Sequence, residues 1–307
     1  MGLNVLSYFD GISCGRQVLH ELNKQVDNYY ACEINKDAIQ VSDGNFPEII
    51  RLGDLTKINL EDLPHIDLFI GGSSCQDFSM AGLRQGMISE ENEEVTTLER
   101  YLELKEQGFN FKGESYLFWE YVKTLKYLQL KNPNLQFLLE NVKMSKKWEK
   151  VISDAVGVQP ILIDSSIHCS TNRKRLYWTN IPQEKIEERE EKLQDILDSG
   201  YTNRDKGLCL LESCSRPLKT PSKIARRYFL YGFWTVIFKN EQTYLKLKEN
   251  FNLAEDGDVR YLNQNELEKA QCLPIGYTKS VSRDIAAGLI GNAWNIRTLR
   301  GLFKNVH

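Results

Sequence analysis

No apolar run in this 307-residue chain is long enough to cross a membrane. The longest, Phe229 to Phe238, is broken by Gly232 and Thr235 and reaches about half the length a span needs. No signal-peptide pattern opens the chain: Val5 and Leu6 lead straight into a turn, so the expectation is a cytoplasmic protein. Neither sign of charge dominates. Lys and Arg number 39 against 42 Asp and Glu, a net charge of −3, so any nucleic-acid partner must be argued from local patches. The seven cysteines are odd in number and scattered, Cys209 and Cys214 being the closest pair, with no Cys-x-x-Cys. That argues against a disulfide framework and a zinc site, favours a reducing compartment, and leaves no metal expected. Internal repeats and low-complexity tracts are also absent.

What is present is an α/β rhythm. The length allows one large domain with a smaller lobe. Leu3 to Tyr8 reads as a strand, Phe9 to Gly15 as a glycine-bearing loop, and Arg16 to Leu22 as a helix. This is the opening of a nucleotide-type α/β fold, although the loop is not GxGxxG and an ordinary turn reads the same way. Tyr29 to Glu33 and Ile49 to Leu55 follow as strands two and three, with a helix starting at Asp37 between them. Leu68 to Ile70 is a buried parallel strand ended by Gly71 and Gly72. A polar loop and a short helix occupy Met80 to Lys112, and Ser115 to Gln129 has helical periodicity. Gln136 to Val142 is strand five, Gln159 to Ser165 strand six, and Leu176 to Trp178 lies in another apolar strand. The expected class is a doubly wound, mostly parallel sheet. After Pro182 the character changes: Glu184 to Asp198 reads as a charged helix and Thr202 to Tyr261 lacks the rhythm. Helices return over Asn263 to Gln271, Ser282 to Leu289 and Ile296 to Phe303. The expected division is 1–183, an irregular lobe over 184–258, and 259–307 returning to the first part.

The chemistry-bearing residues sit at strand ends. Cys75 follows the Gly-Gly turn with polar neighbours, in the loop where an open α/β sheet places its chemistry; it reads equally as a nucleophile or a buried structural thiol. Glu33 and Asp54 end strands two and three, where acids receive ribose hydroxyls and an adenine amino group. Either alone could be a helix cap; together they point to an adenosine-containing cofactor. Glu140 follows four strand residues that read as buried, a setting that suits a proton donor or a structural carboxylate paired with a basic residue. Arg173 and Arg175, two apart, send their guanidiniums to one face, where they could orient a carboxylate or hold a phosphate. Arg216, Lys219, Lys223, Arg226 and Arg227 precede Tyr228, Phe229, Tyr231 and Trp234. Such a basic, aromatic segment is a nucleic-acid-facing candidate or a basic surface balancing the acidic stretch before it.

Phe9-Asp10-Gly11, Glu33, Asp54, Cys75-Gln76, Glu140-Asn141-Val142, Arg173 with Arg175, and Gly291-Asn292 occur in this order. The ordered set resembles the cytosine-C5 DNA methyltransferases over nearly the whole chain, apart from about 184 to 258. Ile163-Asp164, Tyr177-Trp178 and the Trp of Asn292-Ala293-Trp294 are most similar to the catalytic domains of the vertebrate de novo enzymes. The modest length suits a bacterial or phage member.

The resemblance implies a class I methyltransferase fold, S-adenosylmethionine as cofactor and S-adenosylhomocysteine as product. It implies that the Cys75 thiolate attacks C6 of a flipped cytosine. Glu140 would serve N3 of the base, and Arg175 the pyrimidine carbonyl and Glu140, with Arg173 supporting them. Phe9, Asp10, Gly11, Cys14 and Gly15 would line the methionine part. Glu33 would take the ribose hydroxyls and Asp54 the adenine amino group, with Ile34 and Leu55 against the ring and Asn292 and Trp294 closing the pocket. Duplex DNA is the expected partner, met by Ser79, Arg84 and Lys143 of the first part and by Arg216, Lys223, Arg226 and Arg227 in a target-recognition lobe. A cognate restriction enzyme and a monomer or weak homodimer complete the expectation; tRNA as substrate, or DNA binding without turnover, are its alternatives. The family's usual Pro before the cysteine is Ser74 here, and Arg84 to Gly113, with Glu90, Glu91, Glu93 and Glu94, is unusually long and acidic.

Overall fold

The computed structural model describes residues 2–73, 93–111 and 114–307. Strand and helix alternate through the first half: β1 (Leu3–Tyr8), α1 (Cys14–Glu21), β2 (Val26–Cys32), α2 (Lys36–Asn45), β3 (Ile50–Arg51), β4 (Leu68–Gly72), α3 (Leu98–Glu106), α4 (Leu117–Lys131), β5 (Gln136–Val142), α5 (Lys146–Val156), β6 (Ile161–Asp164) and β7 (Lys174–Thr179). The seven strands make one sheet, ordered β3-β2-β1-β4-β5-β7-β6. Neighbours from β3 through β5 pair in parallel, whereas β7 runs antiparallel to both β5 and β6.

Side chains alternate across a strand, so a strand covered on both faces must be apolar throughout. Val5, Leu68, Ile70 and Leu138 enter one core with α1 and α2. Leu6, Phe69, Phe137 and Leu139 enter the other with α3, α4 and α5. The chain leaves β1 toward β2 on one side and resumes at β4 on the other. The crevice between these halves, at the carboxyl ends of the strands, is where such a sheet binds ligands.

Three sequence expectations need correction. The third strand keeps two residues of its expected seven: Leu52 N–H still reaches Ala31 O, but Asp54 then caps a 3-10 turn over Leu55–Lys57. No helix spans Glu184 to Asp198; the chain is irregular over 183–192 and then makes one 3-10 turn, Leu193–Ile196. Between 183 and 192 only Ile186 is apolar, so a helix would have no stripe to bury. Tertiary partners hold the segment instead: Glu184 pairs with Lys304, Glu191 with Arg297, and Arg189 N–H bonds Ile167 O.

The stretch expected to be irregular contains α6 (Pro221–Tyr231), β8 (Val236–Phe238), α7 (Glu241–Glu249) and β9 (Val259–Tyr261). Pro221 opens α6, Gly232 closes it at φ 63°, and Ile224, Ala225 and Tyr228 bury its inner face. With Phe238, Leu247 and Val259 they form a separate small core. Leu193, Ile196 and Leu210 join the main core instead, so packing divides the segment 184–258. The closing helices α8 (Gln264–Ala270), α9 (Arg283–Asn292) and α10 (Ile296–Leu302) return to the sheet. No helix among the described residues is long and apolar enough to cross a membrane.

Candidate active site

A cavity of about 270 Å³ lies at the carboxyl ends of β1, β2, β4 and β5. Its floor is the turn after β1. Phe9, Gly11 and Ser13 all have positive φ, 56°, 56° and 61°, which coils the chain tightly before α1. Non-glycine residues hold such angles at a cost of about 1–3 kcal/mol each, so the turn needs external support. Glu33 supplies part of it. Its Oε2 accepts the Gly11 N–H at 2.8 Å, and its Oε1 accepts the Ile34 and Asn35 N–H groups at 2.9 and 2.8 Å. The carboxylate thus ties the β1 turn to the entry of α2. Asp10 supports the turn from within. Tyr29 OH donates to its Oδ1 at 2.8 Å, the Ser13 hydroxyl donates to Oδ2, and Arg51 lies 3.5 Å away. Burial raises the Asp10 pKa and pushes the Cys14 thiol up to about 12.

Of the expected cofactor residues, Phe9, Asp10, Gly11, Cys14, Glu33, Asn292 and Trp294 line this cavity. Gly15, Ile34, Asp54 and Leu55 are not among its lining residues. Gly15 faces the sheet, where a Cβ would stand 2.4 Å from Ile70 Cδ1. Ile34 is 73% exposed. Asp54 Oδ1 accepts the Thr56 N–H at 2.9 Å, which together with Lys57 lowers its pKa. Leu55 packs against the core beneath α3 to α5. Asn35, Ala38, Glu114 and Leu289 also line the cavity, although the sequence reading did not single them out.

The strand register assembles the acid–base cluster. Glu140 on β5 pairs with Tyr177 on β7, and Val142 with Arg175. Glu140 and Arg175 are therefore diagonal neighbours on one face. Arg175 Nε lies 2.9 Å from Glu140 Oε1. The other oxygen, Oε2, accepts the Trp294 indole N–H at 3.1 Å. Glu140 is 7% exposed and Trp294 8%. Arg173 lines the same cavity, and its Nη1 donates to Gly291 O at 3.0 Å and Leu210 O at 3.4 Å, fastening α9 to the lobe's entry. Its link to Arg175 is Cys209, whose Sγ receives both guanidiniums at 3.8 and 3.9 Å. Neither this thiol nor the Trp294 contact was anticipated, because no local pattern marks a partner more than thirty residues away along the chain.

A family model, the C-5 cytosine-specific DNA methylases, matches residues 3–156. The chain belongs to this family. It is 31% identical over 215 residues to the orphan methyltransferase M.SPRI of Bacillus phage SPR, covering 64% of this chain and 43% of that protein. It is 28% identical to the type II methyltransferase M1.ScrFI of Lactococcus lactis subsp. cremoris, over 98% of this chain and 77% of the relative. The chain spans less than half the length of the phage relatives it matches. Among solved structures, the Dnmt2 methyltransferase of S. pombe superposes with a TM-score of 0.66 at 15% identity, covering 98% of this chain and 97% of the other. That likeness is one of fold: the methyltransferase Rossmann-like sheet.

Cys75, Ser79 and Arg84 lie outside the described residues, as do Ser74, Glu90 and Glu91. The strand that leads to them is clasped at its end: Asn141 Nδ2 donates to Ser73 Oγ at 2.9 Å. Glu93 forms a two-point pair with Arg100, and Glu94 pairs with Lys147. Lys143 is exposed just past β5. On α6, Lys223 and Arg226 are exposed, three residues apart, and Arg227 lies over the Trp234 ring at 5.2 Å. Arg216 is paired at both nitrogens with Glu212, at 2.8 and 2.7 Å.

Proposed function

We propose that this chain transfers a methyl group from S-adenosylmethionine to C5 of cytosine in duplex DNA. The observation that carries the reading is the Glu140, Arg175 and Trp294 cluster beside the strand-end cavity, in a member of this family. The cavity suits the cofactor. A Cβ at Gly11 would meet nothing within 4 Å, so this backbone is open to close approach. Glu33 uses its oxygens for three backbone N–H groups, two on Oε1 and one on Oε2, which leaves a lone pair of Oε2 for a ribose hydroxyl. S-Adenosylmethionine, when bound, supplies the methyl group as an electrophile.

The chain's own residues make C5 able to take it. C5 of cytosine is a weak nucleophile until C6 is attacked. Cys75 would add its thiolate to C6 as Glu140 donates a hydrogen bond or proton at N3, leaving an enamine with electron density on C5. After C5 gains the methyl group, loss of the C5 proton expels the Cys75 thiolate and restores the aromatic ring. Arg175 is paired with one Glu140 oxygen and would meet the carbonyl of the same base. A thiol reaches C6 only if the base leaves the stack, so the substrate base is flipped. The segment 184–258 would supply the DNA face, with Lys223 and Arg226 of α6 toward phosphates.

The test is transfer of a labelled methyl group to unmethylated duplex DNA and, separately, to tRNA, followed by nucleoside analysis. The reading expects 5-methylcytosine in DNA. Label confined to tRNA would overturn the substrate, and label in neither would overturn the activity.

A further inference from the structure

The same indole bounds the cofactor cavity and touches the catalytic carboxylate. Trp294 lines the cavity, and its Nε1–H donates to Glu140 Oε2 at 3.1 Å. An indole N–H is a donor only, so it fixes that oxygen as an acceptor; Arg175 occupies the opposite one. The indole N–H is thus the hydrogen bond on this buried carboxyl group, with the Arg175 ion pair on its other oxygen, and the two contacts together restrain its rotation. The ring itself is held. A Cβ at Gly15 would lie 3.6 Å from Trp294 Cζ3, and one at Gly72 would lie 2.8 Å from Nε1 and 3.2 Å from Glu140 Oε2. Gly72 therefore leaves just the space in which the indole and the carboxylate meet. On the other side Asn141, the residue after Glu140, grips Ser73, the residue after Gly72. The end of β4 is thus clasped between the Glu140 neighbourhood and Trp294.

We propose that Trp294 is a positioning residue for Glu140, orienting the carboxyl group through its indole N–H and linking the cofactor cavity to the base site. This rests on the methyl-transfer reading for its kinetic arm. A ligand that packs on the indole would also steady Glu140, and loss of the N–H would slow chemistry more than it weakens cofactor binding.

The test uses the whole chain labelled with ¹⁵N at its tryptophan side chains. The Trp294 Nε1–H resonance, assigned as the one missing from Trp294→Phe, is expected to move in Glu140→Ala and on addition of S-adenosylhomocysteine to the wild type. In single-turnover methylation, Trp294→Phe is expected to lose roughly ten- to a hundredfold in the rate at saturating cofactor, the range for one charge-assisted hydrogen bond, with a much smaller change in cofactor Kd. Gly72→Ala, which keeps both partners but crowds them, is expected to lose rate in the same way. A resonance unmoved by Glu140→Ala overturns the contact. A Trp294→Phe rate near wild type, or a Kd loss as large as the rate loss, overturns the positioning role. Wild type inactive on both DNA and tRNA would instead remove the functional reading, with the resonance still reporting on the contact.

Discussion

Replacing Glu33 by Gln changes one atom, and the structure says which bond is lost. Both carboxylate oxygens accept backbone N–H groups: two on Oε1, at 2.9 and 2.8 Å, and one on Oε2, at 2.8 Å. An amide has one acceptor oxygen. The better orientation keeps its oxygen toward Ile34 and Asn35, which turns the NH₂ against the Gly11 N–H. A hydrogen bond to a charged group contributes about 1.5–3 kcal/mol, and Glu33 is half-buried, so the low end applies, about 1.5 kcal/mol. The turn from Phe9 to Ser13, which carries three positive φ angles, loses its outer tie. Cofactor affinity should fall about tenfold, since 1.4 kcal/mol is a decade in Kd. Glu33→Ala, which removes all three bonds, should fall further. Calorimetric titration with S-adenosylhomocysteine measures both. A Gln variant that binds within about twofold of wild type would mean that the turn does not depend on Glu33.

Other consequences follow from the same geometry. Gly291→Ala places a Cβ 2.3 to 2.7 Å from the Leu211 carbonyl and the Glu212 nitrogen, backbone atoms that cannot swing aside. It should cost at least about 1–3 kcal/mol and lower the thermal midpoint by several degrees; an unchanged melting curve would contradict the close approach. Lys223→Ala with Arg226→Ala should weaken DNA binding and flatten the log–log salt dependence by about 0.9 per phosphate contact removed. Arg216→Ala, whose charge is already held by Glu212, should change that slope less, and an equal change would reject α6 as the phosphate-facing element.

Where the sequence is legible, a local physical signal decides the structure. Leu68 to Ile70 and Gln136 to Val142 read as strands because parallel strands covered on both faces must be apolar. The α4 helix is readable because one wide stripe of it is buried. Glu33, Glu140 and Arg175 are readable because strand ends are where this architecture places its ligands and chemistry. The misread places turn on partners far away. The segment 183–192 has charges that suit a helix, yet Lys304 and Arg297 hold it irregular from over a hundred residues away. Arg173 lines the cavity with Arg175, as the two-residue spacing suggests, but its partners, the carbonyls of Leu210 and Gly291, have no local signature. The α6 helix hides behind its composition, because its buried face is only Ile224, Ala225 and Tyr228 while the rest is basic and aromatic. Trp294 and Glu140 were both placed near the site, but their contact spans 154 residues and has no local signature.

In the proposed reaction Cys75 adds covalently to cytosine in DNA so that C5 can be methylated. The direct measurement is the intact mass of the protein after incubation with S-adenosylmethionine and a duplex bearing 5-fluorocytosine at its target site. Fluorine cannot leave C5 as a proton does, so the last elimination is blocked and the adduct persists. A protein–DNA species carrying one added methyl group is expected, absent in Cys75→Ser and attached at Cys75 on peptide mapping. Methylation of ordinary duplex DNA with no trapped species, or a species that survives Cys75→Ser, would contradict it.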